Sequence, residues 1–147
     1  MSRGGEAPLP VRTEGAHIFF VDPAHRVLLY LRDDQPGLLF PNTWHALGGG
    51  LEPGETPAAC LRRELREELE LDLLSPAFFK TCMATHGLVH LFWQSAEPGL
   101  ANAPLHEGQR LGWFSEQEIQ ALPDDHFAFG FRPLLLEFFR TWKKGAG

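Results

Sequence analysis

Cysteine is scarce in this 147-residue chain, with only Cys60 and Cys82 present. Two thiols cannot build a disulfide framework, and their separation does not fit a zinc site, so a reduced, cytoplasmic setting is expected. Long apolar runs are missing as well. The N-terminal MSRGGEAPLP lacks the apolar core of a signal peptide, and nothing reaches the length of a membrane span. The richest late stretch, Phe127 to Phe139, is broken by Arg132 and Glu137 and reads as core. Positive charge is also in short supply, with 13 Lys and Arg against 19 Asp and Glu and a formal net charge of −6. That balance argues against nucleic-acid partners, which are held by Lys and Arg on phosphates. An acidic chain of this kind would need a local cation to handle a phosphorylated ligand.

Aromatic bulk is abundant, with twelve Phe and four Trp beside a single Tyr. One domain with a substantial core is expected at this length, over residues 12–143 behind a flexible segment 1–11 that carries Gly4, Gly5, Pro8 and Pro10. β-rich stretches at 16–21 and 26–31 flank Asp22-Pro23-Ala24-His25, which reads as a hairpin turn. Residues 33–43 read as a loop, 47–51 as a short strand loosened by glycines, and 78–85 and 88–94 as further strands. After a loop over 97–108 comes a strand at 109–114. Ser115 and Glu118 form a capping box, and Pro133 suits the first turn of a last helix ending near Gly145. There is no internal repeat. The pattern predicts an α/β (α+β) fold, a mixed sheet with helices on its faces.

Residues 48–71, GGGLEPGETPAACLRRELREELEL, concentrate charge behind a glycine run. Thr56 is a predicted N-cap and Pro57 the first helical residue. On that helix Ala58, Leu61, Leu65 and Leu69 share an apolar stripe, with Glu64, Glu67 and Glu68 on a neighbouring one. A solvated face would pair opposite charges four apart, yet Glu64 and Glu68 are like-charged at that spacing. Crowded carboxylates without paired His or Cys suit Mg²⁺ or Mn²⁺ rather than zinc. Glycines at 48–50 let the backbone approach a cation or phosphate, although a tight bend is their usual role.

Gly49, Glu55, Arg63-Glu64-Leu65-Arg66-Glu67-Glu68 and Leu71 resemble the Nudix box, G-x5-E-x7-R-E-U-x-E-E-x-G-U with U apolar. Glu70 stands where that pattern has its second glycine, the residue that ends the helix. A left-handed Glu70 cap is expected. Glu107-Gly108-Gln109 ahead of Trp113-Phe114 is similar to a loop of MutT-like members that brings a further glutamate to the metal.

The resemblance implies a Nudix-type α/β/α fold and a metal-dependent pyrophosphohydrolase, with water attacking the diphosphate linkage of a nucleotide derivative. It implies Glu64, Glu67, Glu68 and the Gly48 carbonyl as metal ligands, and Glu107 as a further ligand or the general base, with Glu97 its competitor. Arg63 would orient a box glutamate with Glu55 as its partner, and Gly49 would support the site. Arg32 is a phosphate-contact candidate or a surface partner of Asp33 or Asp34. Trp44, Phe79 and Phe127 are candidates to stack on a base or else are core; His86 and His90 are given no catalytic role. Two other readings remain open, a non-catalytic nucleotide sensor and an isoprenoid diphosphate isomerase, which would need a reactive cysteine in the cleft. The sequence leaves monomer and homodimer equally open.

Overall fold

The computed structural model describes residues 13–146, with side chains to Trp142. The expected flexible segment 1–11 lies outside the described residues. Six strands form one sheet: β1 (Thr13–Val21), β2 (Val27–Leu31), β3 (Trp44–Gly50), β4 (Ala77–Ala84), β5 (Gly87–Ser95) and β6 (Arg110–Phe114). Three helices accompany them: α1 (Pro57–Leu69), α2 (Glu116–Ala121) and α3 (Phe131–Ala146). The strand order is β4-β5-β1-β3-β2-β6, with β1 and β5 parallel and the other neighbours antiparallel. The sheet is therefore mixed.

β1 lies inside the sheet and is buried on both faces, which is why its sequence reads as a continuous apolar run. Alternation along it divides the core. Ile18 and Phe20 pack with Leu61, Leu65 and Leu69 of α1, while Phe19 and Val21 pack with Ile119 of α2 and Leu135, Phe138 and Phe139 of α3. The predicted hairpin turn at 22–25 forms, with His25 left-handed at φ 61° and Asp22 accepting from Arg26. Its strands meet only at Val21 and Val27, then part to admit β3 between them. β3 begins at Trp44, earlier than expected, because residues 44–46 pair with 29–31 of β2. Among the described residues no helix is long and apolar enough to cross a membrane.

α1 starts and stops by local chemistry. The Thr56 hydroxyl accepts from the Ala59 amide at 3.1 Å, and Pro57 occupies the first turn, where no amide donor is needed. At the other end Glu70 is left-handed, φ 54° and ψ 36°, as expected. The amides of Glu70 and Leu71 return to the carbonyls of Arg66 and Leu65 at 3.0 and 3.3 Å. A left-handed residue with a Cβ costs roughly 1–2 kcal/mol relative to glycine. Glu70→Gly, which also loses an exposed side-chain hydrogen bond to His106 worth ~0–1 kcal/mol, is expected to melt at the same temperature or higher in metal-free buffer. A clear drop would show that the cap is not strained.

Candidate active site

The glycine run carries the end of β3 under α1 so closely that side chains would collide. A Cβ on Gly49 would lie 2.5 Å from the Glu64 carboxylate, and one on Gly48 would lie 2.1 Å from the Ala16 carbonyl oxygen. Gly48 also holds φ 129°, which an L side chain rarely adopts. With this access, Glu68 reaches down from α1 to accept from the Gly48 amide at 3.2 Å. Glu64, Glu68 and Glu107 converge, each offering a carboxylate oxygen within 4.8 Å of the others.

The chemistry of that trio fits a divalent cation. Glu68 is 3% exposed, and burial, with Glu64 and Glu107 beside it, raises its carboxyl to a pKa of about 9. Glu64 is raised too, chiefly by burial. Three hard oxygen donors crowded together, with only Glu64 of the three paired to a guanidinium, are stabilised by a bound Mg²⁺ or Mn²⁺. An acid held above its unfolded pKa of ~4.5 favours folding below that value and loses the benefit as pH rises towards 9. Metal-free protein is expected to melt at progressively lower temperature from pH 5 to 9, and Glu68→Gln to flatten most of that slope. Parallel slopes for the two proteins would remove Glu68 as its source.

Arg63 stands behind the trio rather than in the cleft. Its guanidinium donates to both Glu55 oxygens at 2.8 and 3.0 Å, to Glu64 at 2.8 Å, to Glu67 at 3.2 Å and to the Gly50 carbonyl at 3.0 Å. Hydrogen bonds from Arg63 hold Glu55 down at a pKa of about 2, the reverse of the burial effect on Glu68. Glu67, by contrast, has a side chain 60% exposed and lies outside the converging trio, tied to Arg63 instead.

A cleft of about 540 Å³ opens from these carboxylates. Arg32 lines it and makes no ion pair with Asp33 or Asp34 among the described residues; it donates to the carbonyls of Leu39 and Phe40 and reaches the Tyr30 hydroxyl at 3.4 Å. Its guanidinium also lies 5.1 Å over the Phe129 ring. Beyond it the walls are aromatic and imidazole. His45 lies 4.9 Å from His17, 4.5 Å from Phe131 and 5.1 Å from Phe129, ring to ring. His17 and His45 are 8% and 5% exposed, and each has an Nδ1 with no hydrogen-bond partner among the described residues. Burial lowers His17 to a pKa of about 4 and His45 well below the usual range, so both rings are neutral at pH 7.

Several expectations are corrected. Phe79 packs edge-on against Phe138 in the α3-side core, 5.2 Å between ring centres, and Phe127 is fully enclosed there. Trp44 faces Phe114 at 4.6 Å with Arg110 over its ring. None of the three lines the cleft. Glu97 precedes a short 3-10 turn over Pro98–Asn102, also away from the cleft. His86 does line it, whereas His90 is bonded to Glu14 and Thr81. His17, His45, Phe129 and Phe131 were missed as lining residues. Lone histidines and phenylalanines in apolar strands and loops carry no spacing signal, and only the β1–β3 register could have brought His17 near His45.

The sequence profile of the NUDIX domain matches residues 11–135. Curated relatives include nucleoside triphosphatases NudI. That of Enterobacter sp. (strain 638) is 48% identical over 46 residues, covering 29% of this chain and 33% of that protein. That of Escherichia coli O1:K1 / APEC is 48% identical over 48 residues, covering 33% of each. The match thus spans about a third of those relatives' length. Among solved structures, a mutT/nudix family protein from Listeria innocua superposes with a TM-score of 0.75 at 18% identity, covering 94% of this chain and 98% of that one. A protein from Deinococcus radiodurans gives 0.73 at 20% identity, covering 96% and 89%. These two likenesses establish the fold. Because the domain profile runs through the box, the carboxylate trio and the start of α3, the chain belongs to the Nudix family.

Proposed function

We propose that this chain is a divalent-cation-dependent pyrophosphohydrolase that cleaves the phosphoanhydride linkage of a nucleoside triphosphate, nucleoside diphosphate or related nucleotide. The observation that carries the reading is the convergence of Glu64, Glu68 and Glu107 within 4.8 Å at one end of an aromatic cleft. The nucleoside triphosphatase activity named for the NudI relatives agrees with it, over the third of their length that matches.

Glu64, Glu68 and Glu107, with the Gly48 backbone beside them, would hold Mg²⁺ or Mn²⁺. When bound, such a cation offsets the diphosphate charge and lowers the pKa of the attacking water. Glu107, the most exposed of the three, takes the water's proton. Arg63 fixes the rotamer of Glu64, and Glu67 serves as one of the acceptors that hold the guanidinium flat. Arg32 neutralises the phosphate chain between the carboxylates and the aromatic half of the cleft.

That half suits a planar, uncharged head such as a nucleobase. Phe129 offers a face, and the two neutral imidazoles offer hydrogen-bonding nitrogens without a fixed charge. Among the described residues, apart from Arg32 and the carboxylate end, the one charged lining residue is Glu14, which is bonded to His90. The isomerase reading has no such support. Cys60 is buried with its Sγ 3.4 Å from the Gly49 carbonyl and its thiol pushed up to about 11, chiefly by burial, and Cys82 does not line the cleft.

The test is a screen of nucleoside di- and triphosphates, nucleotide sugars and dinucleoside polyphosphates with each metal, scored by phosphate or pyrophosphate release. Nucleoside triphosphates or diphosphates are expected to turn over fastest. Binding without any release across the panel would favour a sensor and overturn the hydrolase reading.

A further inference from the structure

The one departure from the box pattern, Glu70, is engaged by the segment that supplies the third carboxylate. Two local terms oppose a glutamate there: its left-handed backbone, and a negative charge at the C-terminal end of a helix. The interaction that offsets them is a hydrogen-bonded pair between the Glu70 carboxylate and His106 Nε2. His106 is tied to the same helix end a second time, its amide donating to the Glu68 carbonyl at 2.8 Å. The next residue is Glu107.

On the far side of Glu107, Gln109 is anchored to β2 and the loop behind it. Its amide donates to the Leu31 carbonyl at 2.8 Å, and its side chain donates to the Arg32 carbonyl at 2.8 Å and to Asn42 at 2.9 Å. Glu107 is thus suspended between two fastenings, one on α1 and one on β2. A glycine at position 70 would leave the upstream fastening with its backbone bond alone.

We propose that Glu70 is a positioning residue: through His106 it clasps the Glu107 segment to the end of α1 and so sets the third carboxylate of the cation site. Glu70 and His106 do not line the cleft. In the clasp the His106 ring carries its hydrogen on Nε2 and donates it to the Glu70 carboxylate. The inference rests on the cation site proposed above.

The test measures Mn²⁺ affinity by electron paramagnetic resonance, with melting temperature and amide hydrogen exchange alongside. Glu70→Gly and His106→Ala are each expected to weaken Mn²⁺ by about 3- to 10-fold, in the range between an exposed ion pair and a buried supporting partner. The double variant should be no weaker than the worse single, because both remove one contact. Glu70→Gln, whose amide oxygen still accepts from Nε2–H, should recover most of the affinity. In Glu70→Gly the amides of residues 105–107 should exchange faster although the melting temperature does not fall, a pattern that a merely structural role would not give. Wild-type affinity and exchange in both single variants would overturn the clasp. Glu68→Gln separates the two levels. If it too binds Mn²⁺ like the wild type, the cation site itself is wrong and the clasp falls with it.

Discussion

Glu68→Gln is expected to lower turnover by at least ~10²-fold with the fold intact, no less than the loss of a single general base, because a cation ligand is removed. The amide keeps the volume of a side chain that is 3% exposed, and it can still accept the 3.2 Å bond from the Gly48 amide. What it loses is the charge, at the most deeply buried of the three converging carboxylates. Glu67→Gln is the matched control, since that side chain is 60% exposed and accepts from Arg63 at 3.2 Å. It should cost less than ~10-fold, the lower bound for a supporting partner of a metal site. Equal losses in the two variants, measured at saturating Mg²⁺, would show that proximity to the trio does not rank the box glutamates.

Arg63→Lys should lower kcat by about 10- to 100-fold and leave KM within about 2-fold, as expected for a group that orients a ligand instead of binding substrate. The guanidinium spans Glu55, Glu64 and the Gly50 carbonyl at 2.8 to 3.0 Å, joining helix, box loop and strand end in one plane. A lysine ammonium is a point donor and cannot serve that fork. Glu64 would then be free to leave the position that Gly49 keeps clear for it. Steady-state kinetics on a single substrate decides the matter. A raised KM with unchanged kcat would place Arg63 on the substrate.

Local chemistry was legible in the sequence wherever a few adjacent residues determine it. Thr56 and Pro57 announced the start of α1, Ser115 and Glu118 a capping box that forms with both bonds present, and the spacing of Arg63, Glu64 and Glu68 the face of the site. The left-handed Glu70 followed from the missing glycine. Pairing across the sheet was not legible. Val21 and Val27 look like the start of a full hairpin, and only β3 entering between their strands shows otherwise. The same gap misplaced the aromatics. Trp44 and Phe79 are bulky residues near the site in sequence, but strand register turns one towards Phe114 and the other towards Phe138. Phe129 reaches the cleft through a left-handed backbone, φ 54°, that its residue type does not announce.

In the proposed function, Glu64, Glu68 and Glu107 make phosphoanhydride hydrolysis depend on a divalent cation. The most direct measurement follows a nucleoside triphosphate by ³¹P NMR in three samples: wild type with Mg²⁺, wild type with excess chelator, and Glu68→Gln with Mg²⁺. The expected result is loss of the triphosphate resonances, with phosphate or pyrophosphate appearing, in the first sample alone. Breakdown at the wild-type rate in chelator or in Glu68→Gln would contradict it.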